Sequence, residues 1–297
     1  NDEAPVREIF DKHPDLVLRW DDFSARRINW DSKSANLKAI ASELNIGLDA
    51  LVLFDDNPVE REEVRINTPE VHVVDVPTSP LGYVEALFGS GFFDSPVHSA
   101  EDKERAGYYR NEARRRADQA TAATMDEFLA SLDMQATVGE AGPETITRIA
   151  QLVGKTNQFN LTTRRHTRAH LQQMAEDDDW DVRWMRLRDR YGDSGLVGVS
   201  IVHYEDRVAT IDSFLMSCRV MNRTVEQAML RDVIENAMAR GCQTLRGEYL
   251  ATDRNAVVKD FFANNGFAVV SGTALFDVSL DDLDELPGWP DAIGRES

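Results

Sequence analysis

Residues 51–54, Leu-Val-Leu-Phe, form a short apolar run that ends on two adjacent carboxylates, Asp55 and Asp56. A run of this length bounded by polar residues reads as a buried strand. Asn57-Pro58 then opens a helix, with Asn at the cap, Pro at the first helical position and Glu60 three residues after the cap. A strand running straight into a helix start puts its terminal acids at the carboxyl edge of a sheet, where open α/β sheets bind ligands. Paired carboxylates there suit Mg²⁺, and through it a phosphate. The neighbouring sequence extends the pattern. Residues 34–44 carry Leu37, Ile40, Ala41 and Leu44 on one helical face, and the helix stops near Asn45 and Gly47. Residues 16–19 and 71–76 read as further strands. This β-α-β-α-β order predicts an α/β fold with a parallel, doubly wound sheet.

With 297 residues the chain is long enough for about two domains. Its 33 basic and 52 acidic residues leave a formal charge of −19, which argues against a broad nucleic-acid surface and against an anionic membrane as partner. No stretch of about 18 apolar residues suggests a membrane span, and no signal-peptide pattern opens the chain. Two cysteines, Cys218 and Cys242, are too few for a disulfide framework, so a reducing cytoplasm is the expected compartment. The start at Asn1-Asp2-Glu3, without Met, reads as a cut from something longer.

The element pattern divides the chain into a first domain over residues 1–98 and a charged helical connector over 99–133. A second domain of α+β character follows over 134–280, and an acidic, Pro-containing tail over 281–297. In the second domain a strand (135–139) and a helix (143–155) are followed by a strand near 181–188. A hairpin over 195–204 and 208–216 leads to a long helix (225–240). A strand (245–249), a helix (255–263) and a last strand after Gly266-Phe267 complete it.

Lys33 precedes the helix of residues 34–44, so it lies at the same sheet edge as Asp55 and Asp56. A lysine beside a carboxylate–metal cluster neutralises a phosphate; a surface lysine beside an acidic helix cap is the plainer alternative. The segment INWDSKSANLKAIASELNIGLDALVLFDDNPVEREEVR (residues 28–65) resembles the FkbH-like subfamily of haloacid-dehalogenase-type (HAD) phosphotransferases. The resemblance implies that Lys33 is that superfamily's third-motif lysine and a catalytic residue. It likewise implies that Asp55 and Asp56 are its fourth-motif acids and ligands of Mg²⁺, with Asp55 catalytic. The superfamily's Asp-x-Asp nucleophile motif does not precede Lys33, and is expected upstream of residue 1. Asp21-Asp22 are weaker cation candidates, a turn cap being the plainer reading.

Residues 195–267 resemble the GNAT acyltransferase fold, most clearly in NAVVKDFFANNGF (255–267). Asn255 is expected to cap the helix there, and Gly266 to permit the turn. In DSFLMSCRVMNRTVEQAML (212–230), the family's Arg-x-x-Gly-x-Gly phosphate loop corresponds to residues 219–224, with Asn222 and Thr224 in place of both glycines. Their side chains crowd the backbone that would cradle the coenzyme A pyrophosphate, which argues against coenzyme A and for the shorter phosphopantetheine arm of a carrier protein. Cys218 stands just before this loop, near a helix start and beside Arg219 and Arg223, a setting that favours thiolate; a buried strand-end cysteine is the alternative. Cys242 reads as packing.

KTNQFNLTTRR (155–165) is typical of the FkbH-like family. Its Asn157, Gln158 and Asn160, with Arg219, Arg223 and Asn255, are candidate substrate- or carrier-binding residues. Arg164 and Arg165 form a candidate basic docking patch for an acidic carrier protein. For the whole chain, the resemblance implies an enzyme of polyketide biosynthesis. Such an enzyme dephosphorylates 1,3-bisphosphoglycerate and loads the glyceryl unit onto an acyl carrier protein through a thioester on Cys218, the carrier's phosphopantetheine thiol being the acceptor. The alternatives are a GNAT-type acyltransferase with a structural first domain, a non-catalytic carrier-docking module, and a plain phosphatase.

Overall fold

The computed structural model describes residues 2–44, 46–94, 111–112, 114–115, 118–281 and 286–296. The chain divides into two compact units, Asn1–Arg116 and Ala117–Ser297. Much of the expected connector, residues 99–110 with 113, 116 and 117, lies outside the described residues.

In the first unit, α1 (Glu3–Lys12) presents Phe10 to Trp20 and Phe23, with ring centroids 5.8 and 5.3 Å apart, and the Arg26 guanidinium covers Trp20 at 4.7 Å. Residues 16–19, expected as a strand, form none. Val17 is exposed, and the chain turns instead through a 3₁₀ segment, Trp20–Asp22. Asp22 caps that turn by accepting from the Arg19 N–H at 2.7 Å. Then follow α2 (Lys33–Leu44), β1 (Val52–Leu53), α3 (Pro58–Asn67), β2 (His72–Val73) and α4 (Tyr83–Gly89). Asn57 caps α3 as its sequence predicts, its side-chain oxygen accepting from the Val59 N–H at 3.0 Å. Among the described residues the doubly wound sheet reduces to β1 and β2, paired in parallel as Val52 with His72 and Leu53 with Val73. Val64 of α3 packs with Val71, Val74 and Val76 as the buried core.

The second unit opens with α5 (Met125–Ser131), whose Phe128 and Leu129 enter its main core. The strands are β3 (Met134–Glu140), β4 (Trp180–Asp189), β5 (Gly192–Glu205), β6 (Val208–Met216), β7 (Thr244–Glu248), β8 (Ala268–Val269), β9 (Leu275–Ser279) and β10 (Ile293–Glu296). They form one mixed sheet in the order β10-β3-β4-β5-β6-β7-β9-β8. On one face lie α6 (Ile146–Lys155) and α7 (Arg168–Ala175), which bury Ile149, Val153, Leu171 and Met174 against Val182, Val199, Ile201 and Leu215. On the other lies α8 (Val225–Ala239), packed with Met185, Leu187, Ile211, Phe214 and Met216. The sheet is thus buried on both sides, which is why its strands are apolar without simple alternation.

Two expectations change here. The acidic tail supplies β10, which runs parallel to β3 from Ile293 to Glu296. Ile293 is buried and Arg295 reaches Asp232 and Glu235 of α8, so an apolar anchor and paired charges outweigh the acidic composition. The single helix expected over 255–263 is a 3₁₀ turn (Ala256–Val258) and then a short α9 (Phe261–Asn264). Asn255 caps neither. Its side chain is fully buried, with Nδ2 donating to the Asn160 and Leu250 carbonyls at 2.9 Å and Oδ1 accepting from the Thr252 N–H at 2.8 Å.

That asparagine marks the feature that positions everything else. β6 and β7 pair in parallel over only three residues, Val208 to Thr210, and then part. Residues 159–161 enter the gap. Leu161 N–H donates to Phe214 O at 3.1 Å and Met216 N–H to Phe159 O at 3.0 Å, while on the far side Leu250 N–H donates to Leu161 O at 2.9 Å. The exposed backbone of the fork is satisfied by the chain itself, as burial demands. A second lock is Asp232, fully buried on α8, which accepts from Arg183 of β4 at 2.6 Å and 3.2 Å and from Arg295 of β10 at 3.2 Å.

Two stability predictions follow from these locks. Asp232→Asn removes the charge that Arg183 meets at 2.6 Å and leaves it only Glu140 at 3.5 Å and Asp181 at 3.9 Å, and denaturant unfolding should show a loss of about 3 kcal/mol. Asn255→Ala strips four buried hydrogen bonds from the fork and should cost about 1–3 kcal/mol for each group left unpaired, read by the same unfolding curves. A wild-type midpoint for either protein contradicts the assignment.

Candidate functional site

In the first unit the structure brings together Lys33 and Asp55, as their positions in the sequence predict. Lys33 opens α2 and its Nζ lies 3.3 Å from Asp55 Oδ2. The other Asp55 oxygen accepts from the Asn57 N–H at 2.9 Å, so the helix cap orients the acid. Arg61 Nη1 donates to the Asp55 and Asp56 carbonyls at 2.8 and 3.0 Å and holds the turn. Behind Lys33, the Ser34 N–H donates to Glu63 at 3.1 Å. The Ser34 hydroxyl bond is the main reason that the Glu63 carboxyl is held below its usual range, although burial opposes it. Asp56 is exposed and stands apart from this network. Among the described residues, no group of three or more His, Cys, Asp or Glu side chains could hold a metal. Asp55 and Asp56 stand as two adjacent acids at the end of β1, Asp55 half-buried and Asp56 exposed. Asp21 and Asp22 are exposed on the 3₁₀ turn, and Asp22 is engaged in capping it.

In the second unit Cys218 starts a 3₁₀ turn, Cys218–Val220, directly after β6. The thiol-bearing residue is half-buried. The loop beyond it keeps a glycine-like backbone without glycine: Asn222 has φ 62° and Thr224 φ 60°, both left-handed. Asn tolerates that region; a β-branched Thr there is strained, at a cost of order 1–3 kcal/mol. Thr224 makes no side-chain cap to α8. The expected cradle shape survives the loss of both glycines, and what changes is the side chains beside it. Arg223 is buried, with its guanidinium 3.6 Å from Asp189, whose side chain is wholly buried at the end of β4. This arginine lies beside the sheet through Asp189. Cys242 is half-buried, and burial pushes its thiol up.

The segment of residues 155–165 is an internal brace. Asn160 is fully buried, its Nδ2 donating to Thr156 O at 3.3 Å and its Oδ1 accepting from Thr163 N–H at 2.8 Å. Asn157 accepts from Arg165, which also donates to the Val153 and Thr156 carbonyls at the end of α6. Arg164 bridges the fork, donating to Asp212 O at 2.9 Å and to Glu248 at 2.6 Å, and lying 3.3 Å from the Asp212 carboxylate. Arg164 and Arg165, read from the sequence as a docking patch, are thus turned to partners within the unit. Gln158 remains exposed. Asn255, as described above, ties Asn160 to the end of β7.

A polar cluster that no sequence motif announced gathers at Asp212. A β-bulge in β6 interrupts its register between Ile201–Ser213 and Val202–Ile211, leaving Asp212 as the extra residue. Ile211 and Phe214 both face α8, so Asp212 and Ser213 turn together to the opposite face. There Asp212 Oδ2 lies 2.8 Å from His166 Nε2 and accepts from the Ser213 hydroxyl at 2.8 Å. Burial pushes the Asp212 carboxyl up, but hydrogen bonds from His166 and Ser213 and the Arg164 charge prevail and hold it below the usual range. The only hint in the sequence was an acid inside an apolar strand.

No protein-family model matches the chain, and no curated protein matches it. Among solved structures, the chain is similar to the N-terminal part of a Bacteroides fragilis protein containing a phosphatase domain, solved in complex with Mg. That match has 38% identity over 33% of this chain and 26% of that one, at TM-score 0.32. The chain therefore spans about a quarter of that relative's length. It is also similar to N-acetylglutamate synthase from Neisseria gonorrhoeae, complexed with coenzyme A and N-acetyl-glutamate, at 15% identity over 50% of this chain and 35% of that one, TM-score 0.38. A GNAT-family acetyltransferase from Staphylococcus aureus matches at 10% identity over 49% of this chain and 99% of that one, TM-score 0.39.

Proposed function

We propose that the chain is an acyl-transfer enzyme with a phosphate-handling first unit. In this reading it takes the glyceryl group of 1,3-bisphosphoglycerate and loads it onto the phosphopantetheine thiol of an acyl carrier protein through Cys218. The observation that carries the reading is the loop over residues 217–224. Two non-glycine residues are held in left-handed conformations ahead of a 15-residue helix, with a cysteine at the loop's start. Strain of this kind persists where the surrounding structure serves a site. A left-handed turn before a helix start is the kind of backbone that suits a phosphate, such as that of a phosphopantetheine arm.

The covalent step is an acyl exchange. The Cys218 thiolate adds to the acyl-phosphate carbonyl, a C–S bond forms, and the C–O bond to the 1-phosphate breaks with that phosphate as leaving group, so the thioester carries a 3-phosphoglyceryl group; water then cleaves the 3-phosphate ester and releases a second phosphate, leaving the glyceryl unit. The carrier thiolate then adds to the enzyme thioester, and Cys218 leaves as thiolate. In the first unit, Lys33 places a positive charge beside Asp55, where a phosphate group of the substrate would sit. Mg²⁺, bound by Asp55 and Asp56, would supply charge neutralisation at the phosphate oxygens.

Intact-mass measurement after incubation with 1,3-bisphosphoglycerate should show a 3-phosphoglyceryl adduct, or a glyceryl adduct once the 3-phosphate is cleaved, on the wild-type chain and neither on Cys218→Ala. An adduct that survives the substitution removes the cysteine from the route. In a separate titration, Asp55→Asn should weaken Mg²⁺ binding to the chain by about tenfold or more. Equal heats for wild type and variant would show that Asp55 is a helix-cap acid only.

A further inference from the structure

The cluster on the β6 bulge has a direction. Asp212 is ionised and can only accept, so the His166 Nε2 that lies 2.8 Å from it carries the proton. His166 Nδ1 is then a lone pair, and it lies 3.3 Å from Nδ1 of His170. In the resting state of the relay proposed below both rings are neutral, so His170 donates through Nδ1 and keeps the lone pair on its Nε2. His166 is largely buried, with a side chain 8% exposed, whereas His170 is exposed in the first turn of α7. The two rings meet edge to face at 66° with centroids 5.1 Å apart. Ser213, whose hydroxyl is 3.4 Å from His166 Nε2, is fully buried and cannot meet a substrate.

We propose that Asp212, His166 and His170 form a proton relay, and that His170 Nε2 is the general base for a protic acyl acceptor, a thiol or hydroxyl, in the second unit. The acceptor's proton moves to His170 Nε2, and the Nδ1 proton of His170 passes to His166 Nδ1. The positive charge rests on His166 against Asp212, and Arg164, shared between Asp212 and Glu248, lies on the other side of that carboxylate. The deprotonated acceptor adds to an acyl thioester, its bond to the acyl carbon forms, the C–S bond breaks, and the departing thiolate takes the proton back along the same path. Two histidines and a carboxylate in line, with only the outer ring in water, match the base-and-orienter geometry of acyl-transfer sites.

The relay acts apart from Cys218. Four strand steps of about 3.3 Å separate Asp212 from Met216, about 13 Å, and Cys218 lies beyond, whereas proton transfer needs contact at about 3 Å. The inference rests on the acyl-transfer reading of the second unit but not on the cysteine route.

The test uses the whole chain with an acyl thioester and a small thiol or hydroxyl acceptor. His170→Ala, an exposed substitution, should slow transfer by about 10²-fold or more, and added imidazole should restore part of the rate. Asp212→Asn should slow it too and abolish the low-field His166 ring N–H resonance in the proton NMR spectrum. A wild-type rate for His170→Ala, or a loss that imidazole does not relieve, overturns the relay. Loss of transfer in Cys218→Ala but not in His170→Ala keeps the cysteine route and overturns the relay. If the wild-type chain transfers no acyl group, the acyl-transfer reading fails. Hydrolysis of p-nitrophenyl acetate then decides: a wild-type rate above that of His170→Ala keeps the relay, and equal rates remove it.

Discussion

Two parallel strands that part after three paired residues leave a row of backbone donors and acceptors inside a covered sheet, and each needs a partner. In the second unit residues 159–161 supply them, with hydrogen bonds to β6 on one side and to Leu250 on the other. Asn160 and Asn255 are buried for this reason, since an amide side chain both donates and accepts and so can tie three stretches of chain together. Arg164 extends the seam along the sheet by joining Asp212 of β6 to Glu248 of β7. The fork is thus closed by polar groups that satisfy one another, and the chemistry-bearing side chains hang from that seam.

The seam separates two kinds of site. At the carboxyl end of β6, Cys218 and the strained loop before α8 sit where a helix start offers backbone donors. Arg223 is committed to Asp189 beneath them. Midway along β6, the bulge turns Asp212 and Ser213 to the face carrying His166. Buried charge of this sort costs stability unless it is paired, and here every member is paired: Asp212 with His166 and Arg164, Arg164 with Glu248. The first unit follows the same logic on a smaller scale. The Asn57 cap and Arg61 fix the turn, and the turn fixes Asp55 beside Lys33.

Much of this was legible in the residues. The Asn57 cap, the approach of Lys33 to Asp55, the hairpin of β5 and β6 and the long helix α8 follow from local rules: capping chemistry, apolar period and turn residues. The strand expected at residues 16–19 does not form: Val17 and Leu18 stay exposed, and the aromatic and cation–π contacts gather at Trp20 just beyond it. The tail became β10 because Ile293 finds the core and Arg295 finds Asp232, contacts distant in sequence. Asn255 looked like a helix cap, since an amide before a helix is the usual signal; its actual partner, Asn160, lies 95 residues away.

By itself, then, the sequence determined the α2, β1, α3 and β5–β6–α8 elements, where Asp55, Asp56 and Cys218 fall relative to their ends, and the net charge of −19. Those properties depend on neighbours within a few residues. Only the tertiary structure decided that the fork between β6 and β7 is filled from within, that Arg164 and Arg165 bond partners within the unit, and that Asp212 meets His166, which in turn meets His170. A single bulge residue sets that last meeting. It reverses the facing of everything after it in the strand, and no local pattern marks where one strand carries a residue more than its partner.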